Sequence, residues 1–174
     1  MRRPWIVPLV LAAALAAEGG EMLQPGDPFP EFELPAHDGT VVRSADLAGR
    51  PYLIYFYPKA DTPGCTREAC AFRDSWDDVK AAGLTVLGVS YDTPETNRRF
   101  AEKYRLPFLL LSDRDRRLAR AVGAARAVLP VPRRISYLVG PDGRVVRAYP
   151  EVRPAAHAAE VLADARAAGL AADG

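Results

Sequence analysis

Apolar and polar positions along this chain fall into alternating strand-like and helix-like blocks. Two short apolar stretches in FPEFELPAHDGTVVRSADLAGR (29–50) flank His37-Asp38-Gly39, and Asp-Gly between such stretches predicts a β-hairpin. PYLIYFY (51–57) is one continuous apolar and aromatic run bounded by Pro51 and Pro58, the pattern of a strand buried on both faces. Downstream, Ala69, Phe72, Trp76 and Val79 recur at intervals of three and four. That spacing predicts an amphipathic helix across 66–79, closed by Gly83. LTVLGVS (84–90) reads as a second buried strand, and TPETNRRFAEKYR (93–105) as a helix capped by Thr93 with Pro94 at its first position. PFLLLS (107–112), a short basic helix over 113–123, a hairpin turning at Pro141-Asp142-Gly143, and a last helix over 154–169 complete the chain.

Strands alternating with helices imply right-handed crossovers and an α/β architecture, a central sheet with helices on both faces. No linker divides the stretch from 24 to 170, which reads as one domain, and 174 residues suffice for a sizeable core. Charged residues make up 26% of the chain and the formal net charge is +1, so nothing in the balance asks for a nucleic-acid partner. The basic run Arg114, Arg116, Arg117 and Arg120 reads as a solvated face with the option of meeting an acidic partner. His37 and His157 read as surface residues, and Trp76 as core by its helical spacing.

The first residues stand apart. Arg2 and Arg3 precede an uncharged, mostly apolar run from Pro4 to Ala17, which holds Ala14-Leu15-Ala16 and ends at Glu18 and two glycines. This is the layout of a secretory signal peptide over 1–17, cleaved near Ala16 or Ala17. The alternative is an uncleaved Ala-rich helix or anchor, although the run is short of the ~20 residues a bilayer span needs. The expected location is therefore exported and periplasmic, or cytoplasmic if the segment is not a working signal.

Both cysteines lie in YPKADTPGCTREAC (57–70), as Cys65 and Cys70. The loop follows the carboxyl end of a buried strand, where open α/β sheets usually place their sites. Cys65 falls at the start of the predicted helix, where unpaired N–H groups and the positive end of the dipole favour a thiolate. Pro63 and Gly64 shape the approach, and Thr62 sets a hydroxyl three residues before the sulfur. Five residues along a helix amount to about 7.5 Å of rise and about 140° of rotation. That is beyond the ~7 Å between Cα atoms that a disulfide tolerates. If the two pair at all, the first turns must unwind. A permanent staple would close only about six residues, worth ~2 kcal/mol before strain. A reduced apolar role suits Cys70 on its helix face but not Cys65. No Cys or His lies at metal-finger spacing.

Pro58, Thr62 and Cys65 spell the Pro-x-x-x-Thr/Ser-x-x-Cys pattern, and the chain resembles the peroxiredoxins on it. A second cysteine five residues on is similar to the bacterioferritin comigratory protein, or Q-type, subgroup. PGDPFPEFELPAHDGT, LTVLGVSYDTPE, RFAEKYRLPFLLLSD and RRISYLVGPDGRV resemble further family segments in the same order, so the likeness spans about 24–168. The resemblance implies a thioredoxin-like fold with a central mixed β-sheet flanked by helices and an N-terminal β-hairpin extension. It implies that Cys65 is the peroxidatic and Cys70 the resolving cysteine. Thr62 would bond the reacting oxygens, Pro58 would shape the pocket, and Arg134, before Ile-Ser-Tyr-Leu, would be the distant arginine, with Arg133 outside. Hydrogen peroxide and organic hydroperoxides would be substrates of a cofactor-free, metal-free, thioredoxin-dependent cycle with a thioredoxin-like dithiol as reductant. The mature chain would be free of the membrane, a monomer or weak dimer. GAARAVLPVPRR departs from the pattern, being shorter than the matching loop of many relatives and without the aromatic residue often found there.

Two other readings remain. An exported thiol–disulfide oxidoreductase of thioredoxin type would want Cys-x-x-Cys, where four residues separate the cysteines here. A redox-sensing or copper-delivery module would want a closer pair and a histidine in a suitable loop.

Overall fold

The computed structural model describes residues 20–171, so the expected signal segment lies outside the described residues. Seven strands and five α-helices follow in the order β1 (Glu33–Pro35), β2 (Val41–Arg43), β3 (Tyr52–Phe56), α1 (Pro63–Asp74), α2 (Trp76–Ala81), β4 (Thr85–Ser90), α3 (Pro94–Tyr104), β5 (Leu109–Ser112), α4 (Arg117–Ala121), β6 (Ser136–Val139), β7 (Val145–Tyr149) and α5 (His157–Ala167). A 3-10 turn, Ser44–Leu47, follows β2.

The main sheet has the strand order β5-β4-β3-β6-β7. β3, β4 and β5 run parallel, while β6 is antiparallel to β3 and β7 to β6. This is the mixed sheet expected. β3 is buried along its whole length, and its side chains divide between two cores. Leu53, Tyr55 and Tyr57 join Phe72, Phe100, Phe108 and Val161 under α1, α2, α3 and α5. Tyr52, Ile54 and Phe56 face Phe29, Leu34, Leu118 and Val122, under the N-terminal hairpin and α4. A strand with apolar residues on both faces thus serves two layers at once. The hairpin β1–β2 turns at 37–39 and is tied to β5 through the Ala36–Leu111 bridge.

Two expectations need correction. The helix across 66–79 is in fact two, parted at Ser75, because Ser75 leaves helical geometry (φ −98°, ψ 17°) and α2 starts afresh at Trp76. Asp77 and Asp78 then fall in the first turn of α2, where the helix dipole favours them. The helix also starts earlier than Cys65, at Pro63, with Thr62 as its N-cap. Proline is favoured there because its missing N–H would have had no partner.

Neither histidine is simply a surface residue. His157 is wholly buried at the start of α5, its Nε2 2.9 Å from Ser136 Oγ and its ring edge-on to Phe72 and Tyr149. His37 is half-buried, and its Nδ1 accepts from the Leu110 N–H at 3.0 Å, pinning the hairpin turn to β5.

Candidate active site

The loop from Pro58 to Thr62 is held on both sides. Tyr57 at its base donates to Asn97 Oδ1 (2.7 Å) on α3. The Ala60 N–H donates to Asp92 Oδ2 (2.8 Å), a carboxylate also held by Ser90 Oγ (3.0 Å). Asp61, at a left-handed φ of 59°, accepts from Lys103 Nζ and from the Tyr104 hydroxyl (2.7 Å). These anchors fix where α1 begins at the carboxyl end of β3.

At that start the helix is open. Thr62 is the N-cap residue but makes no capping bond; its hydroxyl donates backward to the Lys59 carbonyl at 2.8 Å. The first α-helical bond is Thr66 N–H to Thr62 O (2.8 Å), which leaves the N–H groups of Gly64 and Cys65 without an intrahelical acceptor. Cys65 is a free thiol, 1% exposed, in this first turn. Arg134 reaches it from the residues before β6, with Nη2 3.2 Å from Sγ. Gly64 makes the room: a Cβ there would stand 3.1 Å from Arg134 Nη2. Arg133, next door, is exposed and turns to the Gly123 carbonyl. Pro58 is half-buried just after β3, and Cys70 is a half-buried free thiol in the same helix as Cys65. The structure thus brings together Cys65, Arg134 and the open helix end, with Thr62 and Pro58 in the adjoining loop, and sets Cys70 apart along α1.

Sequence reasoning missed Glu68. It is completely buried on α1, and its Oε2 accepts from Arg134 Nη1 in a close ion pair. Its Oε1 has no hydrogen-bond partner among the described residues and lies 3.9 Å from His157 Nε2. Burial pushes the Glu68 carboxyl up to about 7, against the pull of Arg134. Burial, helped by Arg134, pushes His157 down to about 4. For Arg134 itself, burial works against the charge, but Glu68 and Cys65 outweigh it and hold the guanidinium above its usual range. The arginine is thus clamped between a carboxyl and a sulfur, charged, with one nitrogen committed to each. A signal for Glu68 was present: it lies three residues after Cys65 and four before Phe72, on the buried stripe of α1. A carboxyl on such a stripe needs a partner in the core.

A free thiol in the first turn of an uncapped helix, with a fixed cation at the sulfur, suits nucleophilic attack on a substrate whose leaving atom gains negative charge. The AhpC/TSA family model matches residues 25–148. Peroxiredoxin Bcp of Escherichia coli (strain K12) is 42% identical over 146 residues, 80% of this chain and 94% of that protein. The crystal structure of peroxidoxin BcpB from Mycobacterium tuberculosis matches with a TM-score of 0.78 at 35% identity, covering 83% of this chain and 97% of that one. A structure of the Xanthomonas campestris bacterioferritin comigratory protein, described for its alkyl peroxide reduction activity, matches with a TM-score of 0.75 at 34% identity, over 79% and 91%.

Proposed function

The chain belongs to the AhpC/TSA family and is a thiol peroxidase of the Bcp/Q peroxiredoxin kind, and from that premise we propose a cycle built on Cys65 and Cys70. The Cys65 thiolate attacks the terminal oxygen of hydrogen peroxide or an organic hydroperoxide. The O–O bond breaks, water or an alcohol leaves with a proton, and Cys65 becomes a sulfenic acid. The observation that carries this reading is Arg134 Nη2 at 3.2 Å from Cys65 Sγ, beside N–H groups that the helix leaves open. Charge growing on the leaving oxygen meets donors already in place. The Thr62 hydroxyl turns from Lys59 to the reacting oxygen, and Pro58 walls the loop. Alkyl peroxide reduction by the Xanthomonas relative supports organic hydroperoxides as substrates.

Cys70 then attacks the Cys65 sulfenic acid. The S–O bond breaks, water leaves and a disulfide forms. Both cysteines lie within α1, five residues apart. At helical rise and rotation their Cα atoms exceed the reach of a disulfide. The first turns of α1 therefore unwind before the bridge closes. A thioredoxin-like dithiol exchanges with the bridge and restores both thiols. Arg2, Arg3 and the apolar run to Ala17 support a cycle outside the cytoplasm, with an exported dithiol as the donor.

Titrating the reduced protein with hydrogen peroxide tests the assignment. Cys65→Ser should not react, and Cys70→Ser should consume one equivalent and stop. Turnover by Cys65→Ser would sink the assignment. Hydrogen exchange tests the unwinding separately. Amides at 66–72 should exchange faster in the disulfide than in the dithiol, while those of the sheet stay protected. Equal protection in both, with the bridge confirmed by mass, would show that α1 keeps its turns.

A further inference from the structure

We propose that the surface around residues 126–130 docks this protein onto an anionic lipid bilayer, with Val128 and Leu129 entering the interface and the arginines around them meeting headgroups. Arg126, Ala127, Val128, Leu129 and Pro130 are exposed in succession. Val128 is 90% exposed and Leu129 48%, and with Val41 they are the exposed large hydrophobic residues among those described. The pair does not line a deep groove; a shallow cavity lies between it and Arg126 and Arg133. Protein partners seat such side chains in shaped pockets, whereas a fluid interface takes a projecting apolar pair flanked by cations.

The charge around them has the matching sign. From Arg116 to Pro141 there are six arginines and no acidic residue, in a chain whose net charge is only +1. Arg134 is committed to Glu68, and Arg117 to Asp115. Arg116, Arg120, Arg126 and Arg133 have no carboxylate partner among the described residues. Arg116 lies over the Tyr91 ring, just past the end of β4, and Arg133 reaches Gly123 just past α4. These cations therefore sit at the same end of the sheet as Cys65. Glu21, exposed beside this seam, offsets only part of them.

The described chain starts at the same edge. Gly20 lies against α4: a Cβ there would stand 2.2 Å from the Arg120 carbonyl oxygen, and one at Gly123 would stand 2.7 Å from the Gly20 carbonyl oxygen. The described chain thus begins at this basic edge, and the segment before it, read above as a cleaved signal, is no part of the docking face. Among the described residues no helix is long and apolar enough to cross a membrane, so the contact is peripheral. Apolar insertion and a basic patch are the two signals that together hold a protein at an interface.

The proposal does not depend on the peroxide cycle and is tested without it, by cosedimenting the full chain with vesicles of phosphatidylcholine, with and without phosphatidylglycerol. Binding should require phosphatidylglycerol and weaken as salt is raised. The double variant V128D/L129D should bind about tenfold more weakly or worse, and R126Q/R133Q should lose much of the anionic selectivity. Both should melt with the parent and consume peroxide in vesicle-free solution at the parent rate, since none of these side chains bonds Cys65 or the Arg134 guanidinium. Three outcomes would overturn the proposal. One is no binding to anionic vesicles. Another is equal binding by V128D/L129D, which would assign attachment to residues 1–19. The third is salt-sensitive capture of an acidic soluble protein without vesicle binding, which would make this face a protein contact.

Discussion

Helices α1 and α3 both begin Thr-Pro, at Thr62-Pro63 and Thr93-Pro94, and both follow parallel strands that lie side by side in the sheet. Their first turns nonetheless have opposite fates. Thr93 accepts from the Thr96 N–H at 3.2 Å, and Glu95 adds a carboxylate to the first turn. That end is sealed by its own side chains. Thr62 gives its hydroxyl to Lys59 instead, and α1 has no acidic residue in its first turn. Where α3 has Glu95, α1 has Gly64, and the space admits Arg134. One dipeptide therefore builds a closed helix start or an open one, according to the third residue and to what the preceding loop offers the threonine. The open end is the one that holds Cys65.

The contrast can be broken most strongly at Arg134. Arg134→Ala should slow the reaction of the thiol form with hydrogen peroxide by roughly 10²-fold or more, the usual cost of one such donor. Arg133→Ala should leave that rate nearly unchanged. Stopped-flow measurement of both checks it, and the reverse ranking would remove Arg134 from the reaction.

Glu68→Gln should act on the pH dependence of stability, by on the order of 3 kcal/mol for a carboxyl raised from its ordinary 4.5 to about 7. A carboxyl held higher in the folded state contributes stability at low pH and loses it as pH rises through about 7. His157, pushed down to about 4 from 6.5, has the opposite slope: stability is lost as pH falls from 6.5 toward 4. In the parent the two slopes largely offset each other where they overlap. In Glu68→Gln only the histidine slope should remain, with stability rising from pH 4 to 6.5 and then level. Urea melts across that range give the curve; an unchanged profile would mean that Glu68 does not titrate there.

The smallest effect concerns the caps themselves. Thr93→Ala should cost about 1 kcal/mol of stability with little change in peroxide rate. Thr62→Val removes no capping bond, so it should cost less stability and more rate. Equal stability losses for the two would erase the distinction between the ends.

The hydrophobic pattern foretold all seven strands and the double-sided burial of β3, because period and run length survive without knowledge of contacts. The cysteine loop was legible in Thr62-Pro63-Gly64-Cys65, and Arg134 only through the resemblance of its Ile135-Ser136 context to the family's. What stayed hidden were polar groups in the core. His157 stands four residues before Val161 on the buried face of α5, and Glu68 stands on that of α1. Their types argued for solvent. Only the fold shows that α1 and α5 meet beneath the sheet and give each a partner across the chain. The break at Ser75 was hidden for another reason, since Trp76 and Val79 continue the apolar spacing through it.

Glu68 lies between the two cysteines that the proposed cycle joins. In that cycle, closing the bridge would unwind the turns that bury it, and its carboxyl would meet water. Burial that holds the carboxyl up to about 7 in the dithiol would be gone in the disulfide, so its affinity for a proton would fall on oxidation. Oxidation then sheds one proton more than the cysteine pair alone would. For a two-electron couple, each added proton steepens the fall of midpoint potential with pH by about 30 mV per unit. Acidity in the surroundings would therefore favour the dithiol more strongly than it does for a bare pair of cysteines. In Glu68→Gln the Nernst slope should be shallower by about 30 mV per pH unit, which redox titration at several pH values would show.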